Sequence, residues 1–538
     1  MIESRMNWRS TRSVESGVNA LSPPKCRTAQ RLRRLAGAGA AGALIASLAG
    51  CMAGPDYAPP TDVAPVKFKE SDRKSTAAGA RERWKPISPL DIADRGDWWL
   101  VFQDEDLTKL VAQVEISNQT VAAAAAAYDQ SRQLVREGQA GLFPTVTTGY
   151  TPSRSRSVSS GSVVYSSNVS VATNLDWEID VWGRIRRTVE ADAAAAQVSA
   201  ADLANAKLSA QIQLAVAYFS LRTSDELLAS IESTLVLFRR TRDILKNQYT
   251  IGTTSRADFV TADNQVLSTE ATAINVGLQR AQYEHAIAVL IGRSPSELSI
   301  RKRRWSGKTP PVAPAGLPSE LLERRPDIAA AERRLQQQNA LIGVAIANFY
   351  PRVSLSPALD FAAAKPWPVT AAHEAWSLAG SATQTLFDGG LLDAQRKAAE
   401  ASYRQAVATY RQTVLTAFQQ VEDDLASIRA LSAQVKRLDK AVAEAREAVD
   451  VYFNQYRVGT VAFTSVVTAQ ATLLSGIESA LTARQNLFVA TVNLIGALGG
   501  GWDASRLPAI DALSAIEPPL PVPASALPAA FETAQSAR

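Results

Sequence analysis

Residues 390–456 read GLLDAQRKAAEASYRQAVATYRQTVLTAFQQVEDDLASIRALSAQVKRLDKAVAEAREAVDVYFNQY. No proline interrupts this stretch, and its only glycine is the first residue. Ala, Gln, Glu, Arg and Leu dominate, all good helix formers. As one helix at about 1.5 Å per residue it spans roughly 100 Å, too long for a compact globular core. Periodic stretches of this length belong to coiled coils, membrane spans or helical repeats. Charges throughout, such as Arg396, Lys397, Glu422, Asp423 and Asp424, exclude a membrane span.

Residues 183–249 form a second stretch of the same kind, and the two are copies. Phe143-Pro144-Thr145-Val146 lies 207 positions before Tyr350-Pro351-Arg352-Val353. Gly183 lies 207 before Gly390, Gln248-Tyr249-Thr250-Ile251-Gly252-Thr253 lies 207 before Gln455-Tyr456-Arg457-Val458-Gly459-Thr460, and Gly292 lies 207 before Gly499. A constant offset across four landmarks marks a duplicated unit.

Composition removes several function classes. The 538 residues carry a formal charge of +5, part of it in a basic leader, with no concentrated basic patch to favour nucleic acid. The two cysteines are Cys26 and Cys51, so neither a disulfide framework nor a thiolate metal site can form beyond residue 51. His285 and His373 are the only histidines, too few for a multi-histidine metal centre. No constellation of convergent polar residues suggests an enzyme, and no cofactor is implied.

Residues 1–50 read as an export leader. Arg31, Arg33 and Arg34 precede the apolar run 35–49, which is too short to span a bilayer comfortably. Leu48-Ala49-Gly50-Cys51 resembles a bacterial lipobox, which implies cleavage before Cys51 and its acylation. Met52, rather than aspartate, then implies delivery to the outer membrane. Translation from Met6 in place of Met1 is compatible with this leader.

Residues 51–96, with six prolines, read as a tether along the surface. The first repeat follows at 97–292. Asp97 caps its start, Trp98, Trp99 and Phe102 anchor it, and one amphipathic helix is expected from Leu107 to Pro144. From 145 to about 180 the period becomes two. Val163, Tyr165, Val169, Val171, Leu175 and Trp177 share one face of a strand. TVTTGY makes a weaker strand before it, and RSRSVSSGS between them reads as a polar loop. A helix from Ser255 to Leu290 ends this copy. A Pro-rich, basic linker covers 293–320, where Arg301 to Arg304 read as a solvated face.

The second repeat, 321–499, follows the same plan. Its strands fall at about 352–387, one marked by Val353, Leu355, Leu359 and Phe361 and the other by Trp376 to Phe387, with AAAKPWPVTAAH as their loop. Pro326 and Asp327 start a helix, with Arg324 able to pair with Glu332 or with an equatorial partner. A last helix runs about Thr464 to Leu498, and 500–538 form a C-terminal segment with a poorly ordered tail. Four strands per chain leave two open sheet edges. Closure between subunits solves this, and three chains supply twelve strands, an even number compatible with an outer-membrane barrel. Tyr150, Tyr165, Trp177, Trp367 and Trp376 suit interfacial girdles. A soluble sheet with Trp177 as a buried anchor is the alternative.

Taken together, Cys51 with GPDY at 54–57, Trp98-Trp99 with Phe102 and Asp104, Leu317-Pro318-Ser319, Arg324-Arg325-Pro326-Asp327-Ile328 with Glu332, Asn348-Phe349-Tyr350-Pro351, Phe387-Asp388-Gly389-Gly390 and Gly499-Gly500-Gly501-Trp502 resemble TolC-like outer-membrane channels. Within that family the chain is similar to lipoprotein factors of bacterial drug-efflux systems of the OprM/NodT type. The resemblance implies an α/β duct, trimerising into a 12-stranded β-barrel and a 12-helix periplasmic α-barrel. It implies a passive conduit without bond chemistry, anchored in outer-membrane lipid. Its partners would be a periplasmic membrane-fusion adaptor and an inner-membrane RND-type transporter. The adaptor would meet the turns at Gly252 and Gly459. The gate would involve Tyr456, Thr464, Thr468, Asp258 and Asp263. Thr468 stands where relatives carry a gate aspartate and Thr464 where they carry an apolar gate residue, which implies a less charged constriction. Asp258 and Asp263 also suit the first turns of a helix. The same duct serving protein secretion, or a pore-less periplasmic scaffold, are the competing readings.

Overall fold

The computed structural model describes residues 52–60, 68–70, 96–159, 161–305, 310–311, 321–363 and 373–515, all within the unit Cys51–Arg538. Cys51, Trp367 and the C-terminal tail beyond 515 lie outside these residues.

After a 3-10 turn at Trp98–Phe102 come α1 (Glu105–Ser117), α2 (Gln119–Ala140), β1 (Thr145–Ser159), β2 (Ser162–Ile179), α3 (Arg184–Thr250) and α4 (Arg256–Leu290). The second copy holds α5 (Leu321–Arg324), α6 (Pro326–Ala347), β3 (Arg352–Ala363), β4 (His373–Thr383), α7 (Leu391–Arg457) and α8 (Phe463–Ala497), followed by a short α9 (Ile510–Ser514). The duplication extends to helix length. α3 and α7 have 67 residues each, α4 and α8 have 35, and α2 and α6 have 22. The start and end of each pair differ by the same 207 positions.

Glycine stops the four long helices in the same way. Gly252, Gly292, Gly459 and Gly499 all have positive φ. In each case the glycine N–H and the next N–H turn back to carbonyls of the last helical turn, as Gly292 N to Val289 O at 3.0 Å and Arg293 N to Ala288 O at 2.9 Å. This is the Schellman arrangement, which satisfies carbonyls that the helix leaves open.

The single helix expected from Leu107 to Pro144 is in fact two. Asn118 adopts ψ 122°, ending α1, and its side chain caps α2 by accepting from Val121 N. The same side chain donates to Leu290 O at 2.7 Å, the end of α4. In the second copy Arg325 occupies the equivalent place with ψ 123° and donates to Ala497 O at 2.9 Å, the end of α8. An amide and a guanidinium thus make the same inter-helix joint. Asp97 precedes the 3-10 turn without a side-chain capping bond. Asp104 does the capping, accepting from the N–H groups of Asp106 and Leu107.

The strands form one antiparallel sheet in the order β1-β2-β3-β4, with β1 and β4 as edges. The supposed polar loop RSRSVSSGS is mostly strand. Arg154 to Ser159 pair with Ser162 to Ser167, leaving a tight turn at Gly161, φ +81°. The period-two pattern was present there, but both alternating residue types are polar. At the other edge β4 stops at Thr383, short of Phe387. Asp388 instead caps α7, accepting from Gly390 N at 2.8 Å and Leu392 N at 2.9 Å. The loop between β3 and β4 is shorter than expected, since β3 takes in Ala362 and Ala363 and β4 begins at His373.

The core lies where the copies meet. Phe219 of α3 sits 4.9 Å from Phe488 of α8, Phe102 of the 3-10 turn 5.0 Å from Phe219, and linker Trp305 4.5 Å from Phe488, centroid to centroid. Aromatic contacts at such spacing add about 0.5–1.5 kcal/mol each beyond burial. The described tether residues dock in two places. Ala53 N donates to Trp182 O at 3.1 Å and Tyr57 OH to Glu332 Oε1 at 3.2 Å. Further on, Lys69 N and Glu70 N both donate to the Glu422 carboxylate of α7.

A buried ion network fixes the linker to the first copy. Asp225 on α3 accepts from Arg222 Nη1 at 3.1 Å and Arg280 Nε at 2.6 Å. Arg222 Nη1 also donates to Arg301 O, and Arg280 Nη2 to Ile300 O. Arg303, from the run read as a solvated face, pairs with Asp104 at 2.6 Å and Asp106 at 3.3 Å while its side chain stays 48% exposed. The network has no copy in the second repeat, where Ser432 and Leu487 replace Asp225 and Arg280. Arg429, the counterpart of Arg222, pairs with tether residue Glu70 instead.

Candidate functional site

The residues singled out for the gate all lie at the far ends of the two helical hairpins. In each hairpin the glycine-led turn repeats atom for atom. Thr253 N and Oγ1 both bond Gln248 O, and Thr460 N and Oγ1 both bond Gln455 O, at 2.9–3.0 Å. Ile251 and Val458, one residue before each glycine, are each 74% exposed.

The hairpins are packed together near these turns. Leu245 and Ala262 of the first share a buried cluster with Phe463 and Val466 of the second, and Tyr456 packs against its edge. The Tyr456 ring meets Phe463 edge-on at 5.3 Å. Its counterpart Tyr249 stacks on Phe259 at 6.1 Å. Thr464 and Thr468 are exposed, one turn apart on α8. Thr468 Oγ1 donates to Thr464 O at 2.9 Å and Thr472 Oγ1 to Thr468 O at 2.9 Å. The Thr468 and Thr472 hydroxyl protons are thereby committed to the helix backbone, leaving their oxygen lone pairs outward.

The two aspartates are placed by local chemistry. Ser255 caps α4 by accepting from Asp258 N at 3.1 Å and returns its hydroxyl proton to Asp258 Oδ2 at 2.8 Å. Thr254 Oγ1 adds a third bond at 3.2 Å. This is a variant of the capping box, with aspartate in the place of glutamate. Asp263 faces Arg242 of α3 at 3.8 Å, and one turn further along the hairpin Arg239 binds Glu270 at 2.6 Å. The second hairpin has neither device at its turn. Ala462 stands at the N-cap without a side chain bond. Replacing Asp258 by alanine should therefore cost about 1 kcal/mol, and Ala462→Ser should gain a similar amount. Differential thermal unfolding of the two variants checks this asymmetry.

A second polar region lies midway along the chain's helices. A cleft of about 490 Å³ is lined by Ile212 of α3, Arg325 at the α5–α6 junction, Asp327 of α6, Asp423 and Asp424 of α7, and Asn493 of α8. Arg325 is clamped by both Asp327 oxygens and by Gln420. Burial, and then the neighbouring Asp423 charge, push the Asp424 carboxyl up to about 6. A carboxyl raised in the folded state penalises folding once it is ionised. Asp424→Asn should then stabilise the protein above pH 6, with the gain shrinking as pH falls from 6 towards 4 and vanishing below the ordinary carboxyl value, where both states are protonated. After discounting for solvent screening the gain is about 1 kcal/mol, or roughly 2 °C in melting temperature. Melting curves of both proteins from pH 4 to 8 read it directly. Sequence reasoning missed this cleft, since its lining comes from four separate helices. Asp423-Asp424 was the one visible signal.

Two-sided strands, open sheet edges and paired helical hairpins are the geometry of a wall, and comparison with known proteins agrees. The profile of the outer membrane efflux protein family matches residues 110–293 and again 317–500, two spans that repeat the internal offset. Nodulation protein T of Rhizobium leguminosarum bv. viciae is 30% identical over 87% of this chain and 94% of its own length. The toluene efflux pump outer membrane protein TtgF of Pseudomonas putida is 28% identical over 86% of this chain and 96% of its own. The solved outer-membrane channel OprN superposes with a TM-score of 0.75 at 29% identity, covering 84% of this chain and all of that one. With both copies matched and the fold shared over 84% of the chain, the chain belongs to the outer membrane efflux protein family, and it is a channel of the outer membrane rather than an enzyme.

Proposed function

We propose that three copies of this chain form the outer-membrane duct of a tripartite efflux pump, a passive gated conduit from periplasm to exterior. The observation that carries this reading is the sheet. It has chemically distinct faces and two unpaired edges, and it is joined to helices of 67 residues. Such edges demand partners, and a closed barrel supplies them without water. The helices point the same way. Val260, Leu267 and Ile274 stand at heptad spacing on α4 and are at least half exposed, which suits a seam with a neighbouring copy.

In this assembly the turns at Gly252 and Gly459 face a periplasmic membrane-fusion adaptor, with Ile251 and Val458 as apolar contacts. An inner-membrane RND-type transporter supplies the energy. Tyr456, Thr464 and Thr468 narrow the periplasmic end, and their hydroxyl and ring surfaces make a weakly charged constriction. Asp258 and Asp263 hold the first hairpin in shape and contribute negative charge beside it. Cys51 is acylated, and the docking of Met52 and Ala53 against Gly183 and Trp182 at the foot of the sheet supports an anchor at the level of the inner leaflet. The domain plan follows, with leader 1–50, tether 51–96, repeats 97–292 and 321–499, linker 293–320 and tail 500–538. Relatives named for toluene efflux and pyoverdine export support a small-molecule cargo.

Electron microscopy of the detergent-extracted protein tests the reading. A threefold particle with a micelle around one end and a hollow stalk is expected. A monomer, or a rod without a micelle-covered barrel, overturns it.

A further inference from the structure

The β1–β2 hairpin carries charge on a face where charge is rare. Strand register puts Val146, Tyr150, Pro152, Arg154 and Arg156 on the same side as Leu175, Val171, Val169, Ser167 and Tyr165. That apolar side faces lipid in the barrel, while Thr147, Ser153, Ser155, Asn168 and Asn174 line the other. From Ile179 up to Val169 the lipid side of β2 holds no charged residue. This span rises roughly 33 Å along the strand and, at a tilt of 35–45°, about 25 Å along the membrane normal, the height of an outer-membrane apolar band.

Arg154 and Arg156 are the next outward residues above that band. Arg156 lies directly opposite Tyr165, and the Arg154 guanidinium carbon stands 5.8 Å from the same ring. Two guanidiniums therefore flank one tyrosine at the height of the outer headgroups. Among the described residues neither makes an ion pair. Both are exposed. A charged side chain on the lipid face is disfavoured in the band and tolerated near its border, so the position itself selects a polar interfacial ligand. Guanidinium forks match phosphate oxygens bidentately. Residues two apart on a strand are about 6.6 Å apart, close enough to grip one phosphate from two sides, with the Tyr165 ring lying against the sugar or acyl border.

We infer that Arg154 and Arg156 with Tyr165 form a site for a phosphorylated glycolipid of the outer leaflet, one per copy of the chain. The inference rests on the barrel reading above. The test uses the full-length, detergent-extracted protein titrated with bisphosphorylated lipid A, dephosphorylated lipid A and phosphatidylglycerol, with bound lipid counted by native mass spectrometry. The wild type should prefer bisphosphorylated lipid A. The R154Q/R156Q double variant should lose at least about tenfold in that affinity, and R154Q alone part of it. Equal affinity in wild type and the variants overturns the proposal, as does phosphatidylglycerol binding as tightly as lipid A. Glu374, at the start of edge strand β4, lies opposite Phe361 on the same side as Val171; unchanged lipid A binding together with a weakened trimer, matched by E374Q, would instead assign the arginines to a neighbouring copy's Glu374 and also overturn it. Failure of the barrel reading is distinguishable, because then no threefold, micelle-bound particle forms at all.

Discussion

Alanine at Gly292 or at Gly499 is expected to destabilise the protein by about 3–5 kcal/mol and to weaken the proposed trimer. Both glycines have positive φ, +69° and +95°, a region in which a Cβ is already strained. Here the Cβ has a second conflict. It would stand 2.0 Å from Ser117 O at Gly292 and 2.0 Å from Arg324 O at Gly499. Those atoms are backbone at the α1–α2 and α5–α6 junctions, so the clash cannot be relieved by a rotamer change. Gly252 and Gly459 provide the internal control. Their φ values are +79° and +78°, yet nothing lies within 4 Å of a Cβ built there. Alanine at those turns should cost only about 1 kcal/mol. Comparing the four variants by thermal unfolding and by oligomer survival on heating separates backbone strain from close packing. Equal effects at all four positions would refute the account.

Removing the Asp225 carboxylate should be nearly as damaging. Its side chain is 1% exposed and faces Arg222, 2% exposed, and Arg280, 9% exposed. Asp225→Ala leaves two buried guanidiniums without the anion between them, which costs about 3–5 kcal/mol. The loss has a local signature, because the same arginines hold the Ile300 and Arg301 carbonyls. Linker residues 298–305 should then open to trypsin, which cuts after arginine and lysine. Asp106→Ala offers the contrast. Its side chain is 44% exposed, so about 1 kcal/mol and no new cleavage are expected. A D225A protein as protease-resistant as the wild type would show that the aromatic cluster around Phe219 and Phe488 holds the linker unaided.

How much of this was legible in the chain depends on the range of the interactions. Helix ends, duplication and strand faces are written locally, in glycines, proline-free runs and alternation, and they are legible to within a residue at Ser255 and Leu290. Asn118 carried a capping signal that a long apolar pattern on either side obscured. The strand through Arg154 to Ser159 was hidden because its alternation lies between two polar residue types, and only pairing with β2 reveals it. The Asp225 network and the docking of Glu70 on Arg429 join residues far apart in sequence, and no periodicity reports them. Of the positions proposed for the gate, Asp258 is bound up in helix capping, a role that its place beside Ser255 and Pro-free helix formers already suggested. Thr464 and Thr468 stand exposed together, as one-turn spacing on α8 requires.

The equal helices also act as a gauge. With 67 residues in both α3 and α7 and 35 in both α4 and α8, the two turns end level only while both copies keep count. One inserted residue in α7 alone would lift its turn by about 1.5 Å and swing it by about 100° against its twin. Changes of stalk length must therefore arrive as matched edits in four helices, in steps that restore the heptad phase. A wall built from two rulers cut to one length can be lengthened or shortened only by recutting both. Sequence divergence along it is free to accumulate as substitution, while insertion and deletion are confined to the tether, the linker and the strand turns.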